Sequence, residues 1–228
     1  MLEDSSAPGF GGTTRERVVV GVRDAIIKGA FVPGARLNER ELCEAYKVSR
    51  TTLRETLRQL EAEGCVTIIA NRGAFVATIS YAEARGLFEI RGALEGLACS
   101  LCAQRGTLEQ KAALSQALAA TERAAAKDSF WEFIAAKNQF YDALLAGADN
   151  AELGTALRLL HNRIQVLRRH SLSRIGRALQ SIPELKAIYA AVIAGDAEAA
   201  RLAGTHHVNQ ARSIVLLDLF EKTHVSSP

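Results

Sequence analysis

A mainly α fold in two parts is what this sequence predicts: three helices closed by a β-hairpin, then an all-α bundle of about six or seven helices. Three observations carry that expectation. Apolar residues recur at helical spacing through most of the chain, two β-type runs flank Asn71-Arg72-Gly73, and from Ala82 onward the composition turns Ala- and Leu-rich with only isolated Gly and Pro. With 228 residues, 48% of them apolar and 23% charged, the chain can bury a substantial core. Its net charge of +3 is too mild to announce a nucleic-acid or membrane partner, so any such partner must be met by local patches.

Residues 1–14 open with Glu3 and Asp4, are rich in Gly, Ser and Thr, and lack the basic and apolar regions of a signal peptide, which predicts a flexible tail. Val18, Val22 and Ile26, with Val19 and Ile27 beside them, then define a helix ending near Lys28 and Gly29. Pro33 and Gly34 make a turn. Asn38 and Glu41 have capping-box spacing, so a short helix runs from there to Tyr46 with Leu42 and Ala45 facing inward. After Lys47-Val48, Ser49 is placed to cap a third helix whose seam is Leu53, Leu57 and Leu60 and which Gly64 ends. Val66 to Ile69 and Ala74 to Ile79 form the hairpin. Helix, short helix, tight turn, helix, hairpin is the order of a winged helix-turn-helix, assigned to residues 15–80.

Such a fold presents the start of its second motif helix to base edges in the major groove, which calls for short hydroxyls and long forked donors. Ser49 and Thr51 supply the first; Arg50, Arg54 and Arg58, four apart and opposite the Leu seam, supply the second. Arginine bonds guanine bidentately in a way that lysine does not reproduce. Arg40 in the preceding helix can reach backbone or base. Arg72 at the hairpin tip can enter the minor groove, with Gly73 permitting the turn.

Residues 81–222 read as the bundle, with helices over 82–105, 107–127, 129–147, 150–171, 183–194 and 196–220, a short turn near 174–180, and a tail at 223–228. Leu87, Ile90, Leu94, Leu97 and Leu101 form the first seam, and Pro183 fits a helix start. Cys99 and Cys102 are a C-x-x-C pair, but they sit inside an amphipathic stretch and read as small hydrophobes in a reducing cytoplasm. No apolar run is long enough to span a membrane.

Residues 26–39, 48–64 and 71–76 resemble the N-terminal domain of GntR-family transcriptional regulators, through Ile26 to Glu39, Val48-Ser49-Arg50-Thr51-Thr52-Leu53-Arg54-Glu55-Thr56-Leu57-Arg58, and Asn71-Arg72-Gly73-Ala74-Phe75-Val76. The resemblance places DNA contacts on Arg40, Ser49, Arg50, Thr51, Arg54, Arg72 and Gly73; Thr52 departs from it, many members having Pro there. Glu89 to Glu95, Phe140 to Asn150, and Ala194 to Ala200 followed by His207 resemble the FCD effector domain of the FadR subfamily. Together they imply a non-enzymatic, ligand-responsive repressor in the cytoplasm. It would bind a palindromic operator in double-stranded DNA as a homodimer and be released by a small polar or anionic effector such as an organic acid.

Many FCD domains hold a divalent metal through one Asp and three His. The matching positions here are Lys137, Tyr141, Leu185 and His207, which implies no metal cofactor. Shifting the register to Asn138 and Asp142 restores an oxygen pair but displaces Asn150. Arg158, Arg163, Arg168, Arg169, Arg174 and Arg177 form a positive run with no acid between Glu152 and Glu184. From it and from the rest of the bundle, Arg91 and Arg163 are candidate forks for a carboxylate or phosphate, with Tyr141 and His207 as hydrogen-bonding partners. A metal-dependent carboxylate, an acyl-CoA effector, and a helical-bundle enzyme with an accessory winged helix stay open as alternatives. The last has thin support: no catalytic triad or phosphate-binding Gly-rich loop is legible.

Overall fold

The computed structural model describes residues 13–127, 129–172, 174 and 176–225, with the side chains of residues 161, 168, 169 and 222–225 outside the description. The expected N-terminal tail lies almost wholly outside the described residues, as do the side chains of Arg168 and Arg169; of the tail expected at 223–228, residues 223–225 instead continue the last helix and 226–228 lie outside the description. The chain divides into two compact units, residues 1–79 and 80–228.

In the first unit α1 (Thr14–Lys28) starts from a reciprocal capping box between Thr13 and Glu16 and stops at Gly29, whose φ of 77° suits glycine. It is followed by β1 (Arg36–Leu37), α2 (Glu39–Tyr46), α3 (Arg50–Ala62), β2 (Val66–Ile69) and β3 (Gly73–Val76). The strands form one antiparallel sheet in the order β1-β3-β2. Val18, Val22, Ile26, Leu42, Leu53, Leu57, Leu60, Val66 and Val76 close into a single core. Across its rim Arg23 donates two bonds, of 2.8 and 2.7 Å, to Glu63, tying α1 to the end of α3.

Four local expectations change. Strand β1 was not legible, because two residues carry no alternation; it exists because Gly34 N–H donates to Val76 O and Val76 N–H to Ala35 O, folding the Pro33-Gly34 turn against β3. Strand β3 stops at Val76, short of Ile79, because β1 and β2 offer no residues opposite Thr78 and Ile79. Ala45 is exposed: the inward arc of α2 is centred on Leu42 and Tyr46, a full turn apart, with Cys43 on its flank. Asn38 caps α2, but through the Arg40 amide, while its own amide donates to Glu41.

The second unit consists of α4 (Tyr81–Arg105), α5 (Leu108–Ala126), α6 (Phe130–Ala148), α7 (Ala151–Leu172), α8 (Arg177–Ala194) and α9 (Ala197–Val225). Helix α4 packs along α9, α5 along α6, and α8 along α9. Small residues allow the first of these approaches: a Cβ at Gly96 would stand 2.6 Å from Thr205 Oγ1, and one at Gly204 2.7 Å from Cys99 Sγ. Among the described residues no helix is long and apolar enough to cross a membrane.

The seam expected on α4 is only partly the buried one. Leu87 and Leu101 are buried, but Ile90 and Leu97 are 50% and 41% exposed, while Arg91, Gly92, Glu95, Gly96 and Cys99 face the core. The turn near 174–180 and the helix at 183–194 are one element, α8, with Pro183 in its interior. Two bonds of 2.8 Å from Arg177 to Glu184 span that proline, and Ser181 Oγ donates to the Ala178 carbonyl, so the turns around the missing amide are held by side chains.

Candidate nucleic-acid interface and bundle core

Helix α3 begins where Ser49, in extended conformation, accepts a 3.2 Å bond from the Thr52 amide. Leu53, Leu57 and Leu60 turn inward, so Arg50, Thr51, Arg54 and Arg58 are exposed along the opposite face. Arg54 donates to Glu39 of α2 at 3.1 Å yet keeps 66% of its side chain exposed. Arg40 is 75% exposed and only 3.8 Å from Glu44, a loose pair one turn away. Among the described residues Arg50 and Arg58 form no ion pair. Ser49 is thus spent first on capping, and any nucleic-acid contact it makes uses the remaining capacity of its hydroxyl, which also lies 3.0 Å from Thr52 Oγ1.

At the hairpin tip Asn71 and Gly73 adopt positive φ, 62° and 99°, a conformation that glycine holds without strain. Arg72 is exposed and lies 5.8 Å over the Phe75 ring. The guanidinium of Arg36, exposed on β1, stands beside Gly73, with its Nε 3.7 Å from where a Cβ would be. Arg36 escaped the sequence reading because only the pairing of β1 with β3 brings it to the wing.

Inside the bundle a string of polar groups crosses four helices. Arg91 is fully buried and donates through Nε and Nη2 to Glu95 at 2.8 and 3.3 Å, and through Nη2 to Tyr141 Oη at 3.4 Å. Burial alone would lower the Arg91 pKa, but the Glu95 carboxylate and Tyr141 outweigh it and the net shift is upward. The Tyr141 and His207 rings are 6.3 Å apart, His207 Nδ1 is in short contact with Glu184, and Glu184 is held by Arg177. Lys137, buried one turn before Tyr141, lies 6.0 Å over the Phe133 ring. Of the four candidate effector residues the fold brings Arg91, Tyr141 and His207 together. Arg163 stands apart, 3.9 Å from Glu83 and a third exposed. The fork of Arg91 is not open, as its i+4 neighbour Glu95 already fills it; the sequence placed these two on one face without showing that the face is buried. A cavity of about 80 Å³ adjoins this string, lined among others by Glu95, Asn138, Tyr141, Asp142, Arg158 and Ile164.

The positions that would match a metal centre do not fit one. Leu185 is fully buried and has no donor atom, Lys137 is a cation, and His207 already meets Glu184 through Nδ1. The shifted register fares no better, since Asn138 accepts from Gln165 at 2.9 Å and Asp142 is exposed. Among the described residues no group of three His, Cys, Asp or Glu could hold a metal ion.

Residues 14–76 match the bacterial regulatory proteins of the gntR family, and residues 86–210 match the FCD domain. The Nta operon transcriptional regulator of Aminobacter aminovorans is 36% identical over 138 residues, which span 60% of this chain and 65% of that one. An uncharacterised HTH-type transcriptional regulator of Mycobacterium tuberculosis is 32% identical over 81% of this chain and 82% of its own length. Among solved structures, a GntR transcriptional regulator from a Rhodococcus species superposes with a TM-score of 0.74 at 26% identity, covering 89% of this chain and 97% of the other.

Proposed function

Because this chain belongs to the gntR family of bacterial regulatory proteins, with an FCD domain as its larger part, and is a transcriptional regulator and not an enzyme, we propose that it acts as a FadR-type repressor. It binds a palindromic operator as a homodimer in the cytoplasm and leaves it when a small polar or anionic effector occupies the bundle. The observation that carries the reading is the exposed face of α3, where Arg50, Thr51, Arg54 and Arg58 line up opposite a buried Leu seam, flanked by Arg40 and by Arg72-Gly73 on the wing. Arg54 reaches its position partly restrained by Glu39, which lowers the entropy lost on gripping a base.

A two-fold operator calls for two copies. We assign their contact to the outward residues Ile90 and Leu97 on α4, with half-buried Leu94 between them, whose spacing lets the same row on a second copy lie against it. The size of the cavity supports an effector of a few heavy atoms over an acyl-CoA. Occupancy acts only through preference: the effector must bind one arrangement of the dimer more tightly than the other.

The test is operator selection from genomic DNA, followed by gel shift of Arg50→Ala and Arg54→Ala at matched salt. Loss of a bidentate base contact costs about 1–3 kcal/mol, roughly five- to 150-fold in affinity. Wild-type affinity in both variants refutes the assignment.

A further inference from the structure

We infer that the wing carries a phosphate seat of its own, in which Arg36 holds a phosphate of the DNA backbone against Gly73. This deepens the DNA-binding reading above and rests on it, adding a contact that neither α3 nor Arg72 supplies. The first observation is a notch with a fork aimed into it. A Cβ at Gly73 would have, beyond its chain neighbours, only two atoms within 4 Å, Nε and Nη2 of Arg36 at 3.7 and 3.8 Å. Those two nitrogens form one edge of the guanidinium, the edge with which Arg23 grips the Glu63 carboxylate at 2.8 and 2.7 Å. An oxyanion entering the space left by the missing side chain meets a paired donor of the geometry that phosphate takes.

The second observation is the makeup of this face. Arg36 on β1 stands directly opposite Phe75 on β3, and Thr67 and Ile69 on β2 stand opposite Phe75 and Gly73. Alternation puts these five residues on one side of the sheet, exposed or half-buried, while Leu37, Ala74 and Val76 turn into the core. No acid is among the five. Arg72 leans back from the tip with its guanidinium 5.8 Å over the Phe75 ring, so a second cation borders the same patch. The ion pairs of this unit go to Arg23, Lys28, Arg40 and Arg54, and among the described residues neither Arg36 nor Arg72 forms one. Like charges gathered on one side of a sheet repel, and an anion laid across the patch removes that repulsion.

The third observation is position. Strand pairing with β3 fixes Arg36 behind the hairpin tip, whereas Arg72 belongs to the tip itself. Arg72 can then enter the minor groove while Arg36 holds the backbone bordering it. Backbone contacts set the register of a protein on a duplex and base contacts read its sequence. Arg36 is thus a positioning residue, which adds affinity for any duplex and no preference among sequences.

Fluorescence anisotropy of the full-length protein tests this on the selected operator and on an unrelated duplex of equal length, from about 50 to 200 mM salt. The variants are Arg36→Gln, Arg36→Lys and Arg50→Ala. Arg36→Gln should melt with wild type, because the side chain is exposed and makes no ion pair. It should lower the affinity for both duplexes by a common factor, about tenfold at low salt. It should also flatten the plot of log K against log salt by about 0.9 per copy bound. Arg36→Lys keeps the charge without the fork and should keep the wild-type slope at an intermediate affinity. An unchanged slope in Arg36→Gln, a loss confined to the operator, equal slopes in the Gln and Lys variants, or an Arg36→Gln midpoint well below wild type each overturns the seat. If Arg50→Ala loses the operator while Arg36→Gln binds as wild type, the seat falls and the DNA-binding reading stands. If both bind as wild type, the reading falls with it.

Discussion

Replacing Glu95 by Gln removes the charge that holds Arg91 in the bundle while keeping the shape of the side chain. Arg91 and Glu95 are 0% and 3% exposed, and their shortest bond is 2.8 Å, so the variant leaves a buried cation facing a neutral amide. The other contact available, 3.4 Å to Tyr141 Oη, is long for a hydrogen bond and cannot replace it. Arginine keeps its proton in proteins even when buried, so deprotonation offers no escape at any ordinary pH. Breaking one partner from a buried ion pair costs about 3–5 kcal/mol. For a unit of this size that is roughly 6–20 °C in melting midpoint.

The companion variant is Arg91→Met with Glu95→Leu, which removes both charges. Both desolvation costs vanish with the attraction, so the double variant should lie within about 1 kcal/mol of wild type. The assay is urea and thermal unfolding followed by circular dichroism, with the two singles and the double measured together. A loss below about 1 kcal/mol in Glu95→Gln, or a double variant as unstable as the single, would refute the claim that this pair is closed to solvent.

Two further outcomes are expected. Native protein near neutral pH should react with a thiol reagent at one cysteine, Cys43, which is half-buried. Burial pushes Cys65 up to about 11 and also raises Cys99 and Cys102, so their thiolates are scarce; all four cysteines should react after denaturation, and fast labelling of Cys99 or Cys102 in the native state would contradict the core described above. Leu97→Arg should keep the helical circular dichroism signal, since Leu97 is 41% exposed, yet reduce the dimer proposed above to a 24.6 kDa species in light scattering; a retained dimer mass would place the two-fold contact elsewhere.

The sequence was most readable where one helix face does one job. On α3 a cap, a Leu seam and an Arg row at matching spacing agree, and Ser49 to Ala62 folds as those residues indicate. On α4 two faces compete. Ile90, Leu94 and Leu97 make the better apolar row, but glycines at 92 and 96 let α9 approach the opposite face, and the buried charges of Arg91 and Glu95 go with it. Hydrophobic periodicity cannot see a core lined by an ion pair and by absent side chains. Pro183 misled for a related reason: a proline reads as a boundary, and the Arg177–Glu184 clamp that carries α8 across it joins residues two turns apart, a spacing that on an exposed helix carries no signal. Glu184 itself was invisible as a site residue until the fold set it between Arg177 and His207.

The same distinction resolves how a nearly neutral unit can read DNA. Residues 1–80 hold eleven Lys and Arg against ten Asp and Glu. Four of their acids are held within the fold, Glu63 by Arg23 and, through neutral donors, Glu61 by the Ile68 amide, Glu41 by Asn38 and Glu16 by the Thr13 cap. Exposed basic groups on the proposed interface include Arg50 and Arg58 on α3 and Arg36 and Arg72 on the wing, while Arg15, Arg17, Lys28 and Lys47 are exposed as well. Formal charge counts both sets equally, whereas a phosphate samples only the set within a Debye length and free to move. Affinity then depends on how many of these few arginines engage at once, so its salt dependence reports that number and not the net charge of the chain.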